Sequence, residues 1–226
     1  MAKNKLKHFA ENEAFPGFIQ QTIDEVKNNF QLSGQWAEKL FGNNHPVILE
    51  LACGKGEYTV GLARSYPEKN FVGIDRKGAR MWRGMKTAVE EQLPNVGFLR
   101  TRIDFLSLCF GKHEVSEIWI TFPDPQLKNK KSMKRLTSPF FLGMYEEILV
   151  PGGKIHLKTD NMELYKFTLG IIKEHGHHLI KETNDLYASG IQDEATQIQT
   201  HYEKMHLAEG LKIKYVVFSL NLESPP

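Results

Sequence analysis

Apolar residues along this 226-residue chain recur in two rhythms that take turns. Val47-Ile-Leu-Glu-Leu51, Phe71-Val-Gly-Ile74, Val96–Leu99 and Ile118–Phe122 are short, nearly continuous apolar runs, the pattern of strands buried on both faces. Between them the spacing turns helical. Tyr58, Val60, Leu62 and Ala63 follow the first run, and a helix is predicted from about Gly78 to Gln92 after the second. Phe140, Phe141, Met144, Ile148 and Leu149 repeat the helical spacing until Pro151-Gly-Gly153 stops it. Lys154-Ile-His-Leu-Lys158 alternates as a strand does, Met162–His175 reads as a helix, and Tyr215–Leu220 as a last strand. Near the start, Phe18, Ile19, Ile23 and Val26 predict an entry helix over 17–29. Residues 1–14, polar and charged, read as a flexible basic arm ahead of a single domain over 15–226. Strands alternating with helices make a doubly wound α/β fold with a mostly parallel sheet. The Pro-Gly-Gly turn and the late final strand leave room for an antiparallel edge strand.

Composition narrows the class without naming a function. Hydrophobic residues at 41% and charged residues at 25% exclude disorder, collagen and coiled coil. A chain of this length buries roughly 70% of its unfolded surface, so it needs no covalent staple. Two cysteines, Cys53 and Cys109, exclude a disulfide scaffold and a tetrahedral cysteine zinc site. The densest histidines, His175-Gly-His177-His178, have no acid at ligand spacing, and no metal is expected. No apolar run approaches the ~20 residues of a membrane span, and Met1–His8 lacks the apolar stretch of a secretory signal. A soluble, cytoplasmic protein is expected; monomer and homodimer both stay open.

Net charge is only +2, yet the bases are grouped. Arg76, Lys77, Arg80, Arg83 and Lys86 follow one another with no acid between them, and so do Lys128, Lys130, Lys131, Lys134 and Arg135. Lys3, Lys5 and Lys7 form a weaker group. Any one run suits a solvated surface; three together point to a phosphate-binding face.

The candidate chemistry lies at the strand ends. The first strand runs into Cys53-Gly54-Lys-Gly56, where glycines let backbone approach a ligand, and the second ends on Asp75, suited to ribose hydroxyls. A dinucleotide or S-adenosylmethionine fits this much. A dinucleotide fingerprint has a third glycine where Thr59 stands, and Glu50 would repel a pyrophosphate while suiting a cation. Beyond the third strand, a backbone N–H near Ile103 and the Asp104 carboxylate are candidates for an adenine ring, or Asp104 caps the next turn. The fourth strand exits into Phe122-Pro-Asp124-Pro125, two prolines stiffening the chain around one acid. A nicotinamide-dependent oxidoreductase, a methyltransferase and a non-catalytic RNA-binding protein remain as readings.

Five stretches then resemble the bacterial tRNA (guanine-N7)-methyltransferases, in family order over about 45–220: Glu50-Leu-Ala-Cys-Gly-Lys-Gly56, Gly73-Ile-Asp75, Phe122-Pro-Asp-Pro-Gln-Leu-Lys128, Lys158-Thr-Asp160-Asn161 and Thr200-His-Tyr-Glu203. The resemblance implies a Rossmann-like S-adenosylmethionine-dependent methyltransferase fold and transfer of methyl to guanosine N7 in tRNA, in the variable loop. It implies acidic cofactor contacts at Glu50 and Asp75 and a catalytic Asp124 that also touches the cofactor, while Gly54, Gly56, Ile103 and Asp104 are cofactor candidates by their place at the strand ends alone. Lys128, Asp160, Thr200, His201, Tyr202 and Glu203 match substrate-binding positions, and the basic run itself makes Lys130, Lys131, Lys134 and Arg135 the expected RNA backbone contacts. A methyltransferase acting on another RNA base is the nearest alternative. Departures are Ala52 for a usual glycine, Asp75 for glutamate, Arg102 for an aspartate, Gln126 for tryptophan and Leu127 for proline. None removes a group that N7 methylation needs, because N7 carries a lone pair and no proton.

Overall fold

The computed structural model describes residues 2–221; Met1 and 222–226 lie outside them, as do the side chains of Lys3 and Lys5. In chain order the elements begin with α1 (Ala2–Ala14), β1 (Phe18–Gln20), α2 (Ile23–Asn29), the single turn α3 (Trp36–Lys39), β2 (Val47–Leu51) and α4 (Glu57–Ser65). They continue with β3 (Asn70–Asp75), α5 (Gly78–Glu90), β4 (Val96–Arg100), the short α6 (Leu106–Cys109), β5 (Val115–Thr121) and α7 (Pro139–Ile148). The last third holds β6 (Leu149–Thr159), α8 (Met162–Glu174), β7 (His178–Thr183), the turn α9 (Glu194–Gln197), α10 (His201–Ala208) and β8 (Lys214–Ser219).

All eight strands form one sheet in the order β1-β4-β3-β2-β5-β6-β8-β7. Pairing is parallel from β1 to β6, and β8 inserts antiparallel between β6 and β7. After β2 the chain builds outward on one side, then returns to lay β5 on the other. The carboxyl ends of β2 and β5 therefore flank the switch point where such sheets hold ligands. Side-chain alternation sorts each strand between two cores. Val47, Leu49 and Leu51 pack with Ile118, Ile120 and Leu157 against Leu142 and Leu164, whereas Ile48, Phe71, Phe98 and Trp119 pack with Val60 and Met81. Glu50 falls in register with that second set, beneath α4.

Two expectations change. The entry helix begins only at Ile23, where Thr22 and Glu25 form a capping box. Phe18 and Ile19 instead extend along β4, Phe18 opposite Phe98, a strand pairing that local spacing does not announce. Residues 2–14 form a docked helix rather than a loose arm. His8 stacks on Trp82 at 3.9 Å, Asn12 donates to the Gly78 carbonyl at 3.0 Å, and Glu11 accepts from the Trp82 indole. Strand β6 is buried on both faces over Ile155–Thr159, where Lys158 meets the carbonyls of Ala195 and Ile198 and the Glu203 carboxylate. There His156 stacks on Trp119 at 3.8 Å and bonds the Tyr215 hydroxyl at 2.8 Å. Strand β7, with its exposed His178, Leu179 and Ile180, carried no clear signal in the sequence.

Candidate active site

The loop after β2 is shaped by left-handed backbone. Gly56, at φ 71°, begins α4, and a Cβ there would lie 2.4 Å from the Phe98 ring, so only glycine fits. Gly54, at φ 58°, has only the Ala52 carbonyl at 4.0 Å beside its Cβ position and opens onto free space. Ala52 shares that conformation at φ 58° but carries a side chain. Its usual glycine would adopt this backbone without strain.

Asp75 closes the loop from β3: one oxygen accepts from Gly54 N–H at 3.1 Å and the other from Lys77 N–H at 2.8 Å. Glu50 is buried and fully engaged. Oε2 accepts from Thr59, by its N–H at 2.8 Å and by its hydroxyl, while Oε1 accepts from the Thr121 hydroxyl at 2.7 Å. Burial pushes the Glu50 carboxyl up to about 7, and these hydrogen bonds oppose the rise. Thr59 thus has a positive role where a dinucleotide fold has glycine, and Thr121 links the glycine loop to the strand that carries Asp124. Neither threonine stood out in the sequence; the absent third glycine was the available signal. Burial raises the Cys53 thiol well above its ordinary range, so this cysteine is a packing residue.

The Asp124 loop is equally constrained. Phe122 and Gln126 sit at φ 49° and 48°, left-handed conformations that side-chain-bearing residues adopt under restraint. Phe122 N–H donates to the Lys158 carbonyl at 2.9 Å, and the Asp124 carboxylate accepts from Gln126 N–H at 3.0 Å. Asp124 is exposed, as are Lys128 and, on the 3₁₀ turn Asn129–Lys134 that follows it, Lys130, Lys131 and Lys134. Arg135 is the exception in this run. It is only 4% exposed, and its guanidinium donates to the carbonyls of Pro125 at 3.0 Å and Gln126 at 3.3 Å and to Glu163. The expected RNA backbone contact at Arg135 is therefore corrected: its side chain is buried, with Nε and one Nη bonded inside the protein.

The remaining residues gather from three directions. Asp160 leaves β6 beside His206, at 3.9 Å, and His206 stacks on Phe122. Helix α10 starts next to α4, where His201 N–H donates to the Glu57 carboxylate at 2.9 Å. Its His201 and Tyr202 are exposed. Thr200 and Glu203 are not: Thr200 caps the helix on Glu203 N–H, and Glu203 pairs with the fully buried Lys158 at 2.9 Å while accepting from the Tyr187 hydroxyl at 2.8 Å. Across the sheet, Ile103 opens a 3₁₀ turn and Arg102 forks Asp104, holding its carboxyl below the usual range. Asp104 makes this pair rather than a helix cap. A cavity of about 540 Å³ lies behind the glycine loop, between α4, α5 and Gln197–Gln199; Glu50, Asp75, Asp104 and Asp124 do not line it.

At the switch point the open Gly54 is held by the Asp75 carboxylate, and the buried Glu50 lies on the strand that leads into it, a setting that suits a cationic, ribose-bearing ligand. This is the build of an S-adenosylmethionine-dependent methyltransferase. Residues 44–216 match the family described as "Putative methyltransferase". The chain is 50% identical over 221 residues to the tRNA (guanine-N(7)-)-methyltransferase of Christiangramia forsetii, covering 97% of this chain and 99% of that one. It is 48% identical to the protein of that name from Porphyromonas gingivalis, with 92% and 86% covered, and 36% identical to that of Listeria monocytogenes, with 83% and 86% covered. The solved 16S rRNA methyltransferase KamB superimposes with a TM-score of 0.61 at 15% identity, covering 90% of this chain and 95% of that one, a likeness of fold. The chain belongs to the tRNA (guanine-N7)-methyltransferase family.

Proposed function

We propose that the protein transfers a methyl group from S-adenosylmethionine to N7 of a guanosine in the variable loop of tRNA, in the cytoplasm. The reading is carried by Asp124: an exposed carboxylate on a restrained loop, one strand over from the glycine loop and followed by exposed lysines. The cofactor supplies an electrophilic methyl on a sulfonium. Gly54 gives it room while Gly56 sets the turn, Asp75 suits its ribose, Ile103 and Asp104 its adenine, and the buried Glu50 carboxyl lies beneath the loop as the acid nearest its cationic part.

N7 presents a lone pair on the major-groove edge, so no residue needs to remove a proton before attack. The protein's task is in-line placement and compensation of positive charge developing on the purine. Asp124 does both, accepting from guanine N1 and N2 hydrogens with a fixed negative charge. Lys128, Asp160, His201 and Tyr202 frame the nucleotide, and Thr200 and Glu203 hold the latter two in place from below. Lys130, Lys131 and Lys134 take the phosphates, so binding weakens as salt rises.

The test is a nucleoside digest. Bulk tRNA lacking the modification is incubated with the protein and methyl-labelled S-adenosylmethionine, and the labelled nucleoside is identified by mass spectrometry. Label in 7-methylguanosine is expected. Label in another nucleoside would overturn the base assignment, and failure to bind S-adenosylmethionine would overturn the reaction.

A further inference from the structure

The basic run 128–135 ends on a side chain turned away from solvent. Arg135 reaches back ten positions to the Pro125 carbonyl through Nε, and one Nη serves both the Gln126 carbonyl and Glu163. The guanidinium also lies over the Phe167 ring at 4.5 Å. Glu163 and Phe167 belong to α8, which begins just beyond Asp160. One side chain therefore joins three segments of the site: the stretch that follows Asp124, the basic turn, and the helix after β6.

We propose that Arg135 is a positioning residue for the methyl transfer, holding the Asp124 loop in register with the lysine turn that seats RNA phosphates. The proposal rests on the tRNA methylation reading above. Left-handed conformations at Phe122 and Gln126 persist only where the surroundings impose them. Phe122 is held by its N–H to Lys158, and Gln126 by Arg135 on its carbonyl together with Asp124 on its N–H. Within the turn, Lys131 N–H bonds the Lys128 carbonyl at 2.7 Å and Arg135 N–H the Ser132 carbonyl at 3.0 Å, so Lys130, Lys131 and Lys134 ride on a base that Arg135 anchors. The role calls for arginine. Its planar fork donates in several fixed directions, whereas a lysine ammonium is a compact point charge on a flexible stem.

The experiment compares Arg135→Met, which keeps the stem but removes every donor, Arg135→Lys and a Lys130→Gln/Lys131→Gln double variant. Three quantities are measured: the single-turnover rate at saturating tRNA transcript, the slope of log tRNA affinity against log salt, and amide exchange over 122–128. Misplacement of a reacting group by an ångström costs about 100-fold in rate, and Arg135→Met is expected to lose about that much. Its exchange over 122–128 should accelerate at least about tenfold as the opening equilibrium shifts, with the salt slope unchanged. Arg135→Lys should fall between it and the wild type. The lysine double variant should instead flatten the slope by about 1.4 to 1.8, one phosphate contact per lysine. Arg135→Met with a normal rate, normal exchange or a flattened slope overturns the proposal. Should that variant fail to fold, Arg135→Lys decides by the same criteria. If the wild type methylates no guanosine the parent reading falls, while the exchange measurement still reports on Arg135.

Discussion

Replacing Glu50 by glutamine tests how the buried acid is balanced. In the folded protein burial lifts its carboxyl from 4.5 to about 7, against the pull of hydrogen bonds from Thr59 and Thr121. Because the folded value is the higher one, the folded chain keeps a proton that the unfolded chain releases. Glu50 therefore favours folding fully below pH 4.5, and that contribution is lost as pH rises through about 7. At roughly 1.4 kcal/mol per pH unit, the interval amounts to about 3 kcal/mol. Glutamine has the same shape. Its carbonyl accepts from Thr59, and its amide donates to the Thr121 hydroxyl, which rotates to accept. Urea unfolding of cofactor-free wild type and Glu50→Gln from pH 4.5 to 8 reads the effect. The difference curve should rise with pH toward about 3 kcal/mol in favour of the variant, or roughly 6–12 °C in Tm for a chain of this size. Parallel stability curves across that range would refute the reasoning, since Glu50 would then ionise alike in both states.

Three further outcomes are expected. Lys158→Met leaves Glu203 buried without its cation and should destabilise by about 3–5 kcal/mol in urea melts, with most of the loss recovered in Lys158→Met/Glu203→Met; a loss below about 1 kcal/mol would show that the pair is solvated. Ala52→Gly relieves a left-handed alanine at φ 58° and should raise stability by about 0.5–1 kcal/mol, an increase in Tm that a scanning calorimeter resolves. Asp124→Asn keeps an acceptor for Gln126 N–H but removes the charge, so the single-turnover rate should fall roughly 100-fold; a near-normal rate would exclude the orienting role.

Much of the architecture was legible because it rests on local pattern. The run Val47–Leu51 read most simply as a strand covered on both faces, and a glycine pair behind it meant a tight turn into a helix. The four acids were legible as residues, and so was the Phe122–Pro125 segment, whose prolines stiffen the chain wherever it lies. What these groups touch was less readable. Glu50 looked like a ligand contact alone, yet its two oxygens are spoken for by Thr59 and Thr121. Phe18 and Ile19 fit a helical spacing with Ile23 and Val26, but pairing with β4 outweighed it over three residues.

The divide between the two sources of information follows from range. Periodicity, glycine placement and proline rigidity act within a few residues, so the doubly wound sheet, its glycine loop and its basic turn are written into the chain itself. Burial and partnership depend on which distant segments meet. Arg135 and Lys131 look alike in a run of bases, yet one is locked against Pro125 and Glu163 while the other faces water. Thr200-His-Tyr-Glu203 reads as one motif, yet the turn of α10 sends Thr200 and Glu203 inward and leaves His201 and Tyr202 outside. A charge costs little in solvent and much in the interior unless it is paired, and only the folded chain decides which of those two environments each charge enters.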